Sequence, residues 1–397
     1  MSGFVATNPD GSVGYYKDRK RYWWLLSVLY PLQPFAAIGL HAATGEPAWL
    51  LAPLVFGYGI LPMLDALVGE DPHNPPEHFA RAMDADPFYR RLTWIVVPLH
   101  AIALIGSAWW AASQNLGPGY FVVMAIVAGM TSGLAINTGH ELGHKKSGLE
   151  RRLAQLVLAV PAYGHFWIEH NRGHHRHVAT ADDPASARMG ESIYRFAVRE
   201  IPGALVRAWR LEGERLRLAG HGTFSIHNEI LQSYAVTALL QGSLIVAFGA
   251  SMLPFLLLHN AFAWWQLTSA NYIEHYGLVR RRDEKGRLER CQPHHSWNSN
   301  HLISNMVLFH LERHSDHHAN PTRRYQSLRS FDNLPTLPNG YFGCYLLAYV
   351  PALWYRVMDP RLLALPHVNG DLAHVNIDPA KRDELLARYA NAGSTPA

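Results

Sequence analysis

The sequence predicts an all-α integral membrane protein: six transmembrane helices with a cytosolic helical and loop cap that carries a histidine-rich site. Three observations lead there. Only 17% of the 397 residues are charged while 49% are hydrophobic, whereas soluble domains carry about 25% charged residues. Six apolar stretches have the length needed to cross a bilayer. The chain also holds 24 histidines, many of them in short motifs at the ends of those stretches.

Taken in order, the first 20 residues are polar and the first apolar run lacks a small-residue cleavage site, so no cleavable signal is expected. Spans are predicted at 22–42, 47–68, 92–112, 120–136, 231–248 and 253–270. The connections at 43–46 and 113–119 contain no Lys or Arg. The other side carries Lys17, Arg19, Lys20 and Arg21, then Arg81, Arg90 and Arg91, then Lys145, Lys146, Arg151 and Arg152, and finally Arg280, Arg281 and Arg282. The positive-inside rule therefore puts both termini and every histidine motif in the cytosol. The expected organisation is a transmembrane bundle over 1–276 with a cytosolic insertion at 145–230, a cytosolic cap over 277–390, and a flexible tail at 391–397. The apolar segment 153–166 is too short to span and reads as a buried or interfacial helix.

Two cysteines, Cys291 and Cys344, make neither a disulfide framework nor a thiolate cluster. Any metal must be held by nitrogen and oxygen. Four motifs supply the nitrogen. NTGHELGHKKS gives His140 and His144; EHNRGHHRH gives His170, His174, His175 and His177; NYIEHYGL gives His275; LERHSDHH gives His314, His317 and His318. Spacings of three and four bring imidazoles to one helical face. Asn137, His140 and His144, and likewise Thr268, Asn271 and His275, fall at i, i+3 and i+7. HELGH alone matches the H-E-x-x-H pattern of zinc proteases. That reading needs three protein ligands and an open position, and it leaves the remaining histidines idle. A metal transporter is the non-enzymatic alternative, but transporters place their ligands near the bilayer midplane, and these motifs collect at one face. Many imidazoles with few carboxylates suit iron, copper or zinc.

NTGHELGHK, IEHNRGHH, SANYIEHYGL and LFHLERHSDHHANP resemble the histidine boxes of the integral-membrane alkane monooxygenases, relatives of the membrane desaturases and xylene monooxygenases. The similarity extends to LDALVGEDPHNPPE and RMGESIYRFAVREIPGA, and the NYIEHYG box separates this family from the desaturases. The resemblance implies two non-haem irons, terminal hydroxylation of n-alkanes by O2, and electrons from rubredoxin, itself reduced by a rubredoxin reductase, in a bacterial inner membrane. It makes His140, His144, His170, His174, His175, His275, His314, His317 and His318 the iron ligands, with His177 outside the family spacing. His165, His301 and His310 are expected to be hydrogen-bonded structural histidines. Desaturation, or hydroxylation of a fatty-acyl chain or aromatic methyl group, is the alternative reaction of such a centre. No nucleic-acid partner is expected.

An alkane offers no hydrogen-bond handle and no acidic proton, so the hard chemistry has to come from a metal centre and O2, with the protein supplying position and dryness. Glu141, Glu274 and Asp316 adjoin ligand histidines and are expected to orient imidazoles through their second nitrogen or to contact a metal, with Glu169 and Asn271 as weaker candidates of the same kind. Asp65 is an ionisable residue at membrane depth, read either as functional or as the partner of a Lys or Arg. Gly57, Leu61 and Asp65 recur every four residues, so Gly57 and Leu61 are candidates for a groove that takes the alkane chain, with helix–helix packing as the plainer alternative. The run VRRRDEKGRLER at 279–290 and the arginines between Arg195 and Arg217 are candidates for a dock that attracts an acidic electron donor, or for contacts with anionic lipid.

Overall fold

The computed structural model describes residues 3–71 and 73–389; the tail expected at 391–397 lies outside them. An N-terminal hairpin, β1 (Phe4–Thr7) and β2 (Val13–Tyr16), pairs antiparallel with Phe4 opposite Tyr16. The rest is helical. The helix α1 (Leu25–Thr44) is followed by α2 (Pro47–Val68), α3 (Ala80–Ala85), α4 (Pro87–Ser113), α5 (Gly117–Gly143) and α6 (Gly148–Ala159). Next comes α7, which runs from Phe166–Glu169 through a π-helical turn at His170–His174 to His175–His177. Then follow α8 (Ile193–Leu218), α9 (Glu229–Phe248) and α10 (Met252–His275). Shorter helices complete the chain: α11 (Leu302–Val307), α12 (His314–Ala319), α13 (Tyr341–Ala348), α14 (Pro351–Leu363) and α15 (Arg382–Tyr389).

Five of these helices, α1, α2, α4, α5 and α9, are long and apolar enough to cross a membrane. The expected sixth span, 253–270, lies inside α10. At 24 residues α10 has the length, but its buried side carries His259, Asn260, Gln266, Thr268, Asn271, Glu274 and His275, which lowers its mean hydropathy. Local chemistry sets the helix starts. Asp86 caps α4 by accepting from Phe88 N at 2.8 Å, with Pro87 at the first helical position. Asn228 caps α9 by accepting from Ile230 N and Leu231 N.

What positions the site is the contact between α5 and α10. A Cβ at Gly129 would sit 2.6 Å from the His259 carbonyl oxygen, and one at Gly133 would sit 2.7 Å from Gln266 Cβ. Glycine at these two positions, four apart, lets the helix backbones approach, as small residues do in membrane bundles. The expected end of span four at 136 is passed without a break: α5 continues to Gly143 and carries His140 with it. The largest core cluster then joins Tyr30, Leu61, Met130 and Leu134 to Tyr272, Tyr276, Trp297, Tyr341 and Trp354, so membrane helices and the C-terminal segments share one apolar interior. The segment predicted at 153–166 as a short helix is α6, which ends earlier, at Ala159.

Candidate metal centre

Nine imidazoles meet where α5, α7, α10 and α12 end, in two groups. His140, His144, His170, His175 and His317 form one, and His174, His275, His314 and His318 form the other; within each, one nitrogen per residue lies within 4.8 Å of all the rest. The π-helical turn makes the division. A π turn places residues five apart on one side, so His170 and His175 face the same group, with Nε2 atoms 3.0 Å apart, while His174 turns to the other. On α12 the ordinary spacing of four does the sorting: His314 and His318 Nε2 are 2.9 Å apart, and His317 points to the five-membered group. His177 is exposed and outside both groups.

The donor set fits metal ions. Two ligands on opposite sides of one ion, each about 2.1 Å from it, are about 4.2 Å apart, and the nitrogens here keep that spread. Burial holds the pKa of His170, His175, His314, His317 and His318 well below the ordinary imidazole value, so each offers a neutral lone pair. His275 Nδ1 donates to the His295 carbonyl at 3.2 Å, which leaves its Nε2 for the group. His144 Nε2 is buried without a hydrogen-bond partner among the described residues.

The carboxylates are distributed differently from the sequence expectation. Glu274 lies 3.5 Å from His314 Nε2 and faces the centre. Glu141 instead pairs with Lys145 at 2.9 Å, and Asp316 accepts from Arg323 Nη1 at 3.0 Å and from Arg329 N at 2.9 Å. Both adjoin a motif histidine in sequence, yet their carboxylates are taken by cations, Lys145 one turn on and Arg323 in the following segment. Glu169 bonds to Arg207. The residue that sequence reasoning missed is Asp183, whose Oδ2 lies 3.0 Å from His174 Nδ1 and whose Oδ1 accepts from Arg207 Nη2 at 2.7 Å. Burial works to raise the Asp183 pKa, but His174 and Arg207 outweigh it and hold the carboxyl well below its usual range; the same contact raises His174 against the pull of its own burial. Nothing in the loop sequence ATADDPAS has a period that would have exposed this contact.

A cavity opens on the imidazoles of His140, His170 and His314. Its walls are mostly apolar, with Leu134, Phe166, Leu267, Ala270, Leu308 and Phe342 among them, and its polar groups come from Asn137, Gln266, Asn271 and Glu274. Gly133 and His140 both line it; seven residues apart on α5, they give the slot a length of about 10 Å along the helix.

Other expected site residues lie outside this cavity. Gly57 and Leu61 do not line it. Gly57 is packed so that a Cβ would meet Met130 Sδ and Tyr30 OH, each at 3.1 Å, and Leu61 is fully buried in the core. Both positions thus face packed helix neighbours. Asp65 is fully buried and accepts from Ser304 N at 3.0 Å; no ion pair with Lys or Arg is found for it among the described residues. Several arginines of the expected dock are paired within the protein. Arg195 pairs with Asp378, Arg199 with Glu191 and Arg215 with Glu212, while Arg280 and Arg281 donate to the carbonyls of Arg176 and His367. His165, His301 and His310 are hydrogen-bonded, to Tyr234 OH, Ser299 Oγ and the Tyr325 carbonyl, each at 2.9 Å.

Comparison with known proteins adds to this geometry. Residues 116–346 match the fatty acid desaturase family. Alkane 1-monooxygenase 1 of Alcanivorax borkumensis is 50% identical over 99% of this chain and 98% of its own length. Alkane 1-monooxygenase of Ectopseudomonas oleovorans is 52% identical over 96% and 94%. The hydroxylase component XylM of xylene/toluene monooxygenase from Pseudomonas putida is 28% identical over 64% and 66%. With half of all residues shared along nearly its whole length, and a buried histidine centre of metal-binding geometry, the chain belongs to the fatty acid desaturase family and, within it, to the alkane 1-monooxygenases.

Proposed function

We propose that this protein hydroxylates the terminal methyl group of medium-to-long-chain n-alkanes to primary alcohols, using O2 and electrons from reduced rubredoxin. The observation that carries the reading is the mostly apolar cavity that opens on the histidine centre. An alkane can be held there only by shape and dryness, since it offers no polar handle. Two non-haem irons, one per histidine group, would be the resident metals, and their reaction with O2 supplies the oxidising power that C–H cleavage needs. The nine histidines are their ligands, Asp183 fixes the tautomer and orientation of His174, and Glu274 is the one carboxylate of the histidine motifs that faces the cavity. Leu134, Phe166, Ala270 and Phe342 exclude water from the chain terminus.

In this reading α10 is a sixth span and α1, α2, α4, α5 and α9 are the other five, with both termini, the insertion at 145–230 and the cap at 277–390 on the cytosolic side of a bacterial inner membrane. The charge bias of the connections supports that orientation. Substrate dissolved in the bilayer then reaches the cavity from within the bundle. Two cysteines and no glycine-rich nucleotide motif leave these 397 residues without an iron–sulfur or flavin site of familiar type, so the electrons come from a separate redox site such as that of rubredoxin.

The test is reconstitution. Purified, iron-loaded protein given octane, O2 and NADH should form no product; adding rubredoxin and rubredoxin reductase should yield 1-octanol. Failure to form 1-octanol with the full electron chain, while a fatty-acyl or aromatic-methyl substrate is oxidised, would replace the alkane by that substrate.

A further inference from the structure

The metal end of the cavity has a polarity that alkane chemistry does not require. Asn137 and Asn271 both line it, and the amide nitrogen of each is taken by a protein acceptor. Asn137 Nδ2 donates to the Leu308 carbonyl at 2.8 Å, and Asn271 Nδ2 donates to Glu200 Oε1 at 3.1 Å. Neither Oδ1 receives a hydrogen bond from any described residue. The two amides thus present acceptors at the metal end, while the amide donor left for the slot, Gln266 Nε2, lies five residues back along α10 from Asn271, its Oε1 accepting from Tyr58 OH.

Glu200 stands behind this arrangement. It sits on α8, is 1% exposed, and has no Lys or Arg partner among the described residues; its other oxygen accepts from Thr268 Oγ1 at 2.8 Å. A carboxylate accepts only, so whichever amide group faces Glu200 Oε1 must be the nitrogen. If Glu200 takes up a proton on Oε2, Thr268 Oγ1 can accept it, and Oε1 still receives Asn271 Nδ2. In both states the Asn271 carbonyl is left for the cavity. A buried carboxylate without a cation is costly, and directing a cavity amide gives this one a task.

We infer that the metal end of the cavity is a hydroxyl-binding subsite, with Asn137 and Asn271 as the acceptors and Glu200 as the positioning residue that fixes the polarity of Asn271. The ligand class is a primary alcohol, whose O–H donates to these carbonyls. A compound of the same length that only accepts, such as an aldehyde, meets oxygen against oxygen and is disfavoured. The inference rests on the proposed reaction only in that the alcohol is its product; the subsite would hold the new hydroxyl group at the place where it forms.

The experiment is calorimetric titration of the purified, metal-loaded, unreduced protein with 1-octanol and with octanal, so that no turnover is needed. One hydrogen bond predicts that octanol binds roughly two- to tenfold more tightly than octanal. Glu200→Gln keeps an oxygen for Asn271 and gives a nitrogen to Thr268, so the preference should persist. Glu200→Met frees the Asn271 amide to rotate, so the preference should collapse because octanal tightens, with octanol little changed; a merely structural role would weaken both together. Should Glu200→Met not accumulate as folded protein, Asn271→Leu decides, and there the preference should fall because octanol weakens. Equal affinities in the unaltered protein, or an unchanged preference in Glu200→Met or Asn271→Leu, would overturn the inference. Octanol binding without octane hydroxylation would instead count against the proposed reaction and leave the subsite standing.

Discussion

The Nε2 atoms of His140 and His317 lie 2.9 Å apart, although 177 residues separate them in the chain. Such a contact in a buried, neutral pair aims two ring nitrogens at one point, and His144, His170 and His175 aim theirs at the same region. The four remaining imidazoles converge separately. The centre therefore behaves as two sites, and the sites can be taken apart by mutation. Two irons per chain are expected. His317→Ala should lower the iron content toward one per chain by weakening the five-histidine site, and His318→Ala should do the same through the four-histidine site, each with loss of hydroxylation and with the protein still inserted in membranes. Elemental analysis of purified variants checks this; two irons and full activity in either variant would contradict the assignment.

Asp183 reaches the centre only through His174. Replacing its carboxylate by an amide keeps the size but removes the charge that favours an N–H on His174 Nδ1 and leaves Arg207 with a weaker partner. Asp183→Asn should lower metal affinity at the four-histidine site by roughly 10- to 100-fold, the range seen when partners of metal-ligating histidines are lost. Chelator competition on the purified protein measures it. Retention of both metals at unchanged affinity would show that His174 needs no such orientation.

At the start of α4, Asp86 accepts from Arg21 Nη1 at 2.6 Å while capping the helix. Burial tends to raise its pKa, but the Arg21 hydrogen bond and the backbone N–H of Phe88 outweigh it, so the carboxyl titrates below its ordinary value. A depressed folded-state pKa gives stability that is present above the unfolded value of about 3.9 and is lost as pH falls through the folded one. Asp86→Ala should therefore cost about 1 kcal/mol at pH 7, and the gap between variant and parent should narrow as the pH is taken below about 4. Thermal unfolding in detergent, followed by tryptophan fluorescence, reads the gap; one that does not change with pH would mean that the charge plays no part.

Gly57→Trp tests a packing role against a substrate path. Met130 Sδ and Tyr30 OH each lie 3.1 Å from the point a Cβ would occupy on residue 57, so an indole has no room between α1, α2 and α5. Hydroxylation of all chain lengths should fall together, along with thermal stability. Selective loss of long alkanes, with stability intact, would return Gly57 to the substrate path.

Much of this protein was decided locally and was legible in the chain. Apolar runs of bilayer length and the histidine spacings depend on neighbours within a few residues, and physical chemistry at that range leaves few choices. The nine histidines could be named because three- and four-residue spacings gather imidazoles on one helical side in three of the four motifs, and the resemblance to the alkane monooxygenase boxes added His275 and set His177 aside. Tertiary structure decided how those nine divide, and it did so through a π-helical turn at His170–His174 and the approach of α12, 177 residues away from His140 in the case of His317. It also decided which carboxylates matter. Glu141 and Asp316 adjoin motif histidines in sequence but turn to Lys145 and Arg323, whereas Asp183 reaches the centre from a loop with no motif of its own, and Glu200, within RMGESIYRFAVREIPGA, meets the cavity only through Asn271. Sequence adjacency fixes where a Cβ starts; the direction its polar atoms take is set by partners the fold brings from elsewhere, and a buried polar group follows whichever partner satisfies it.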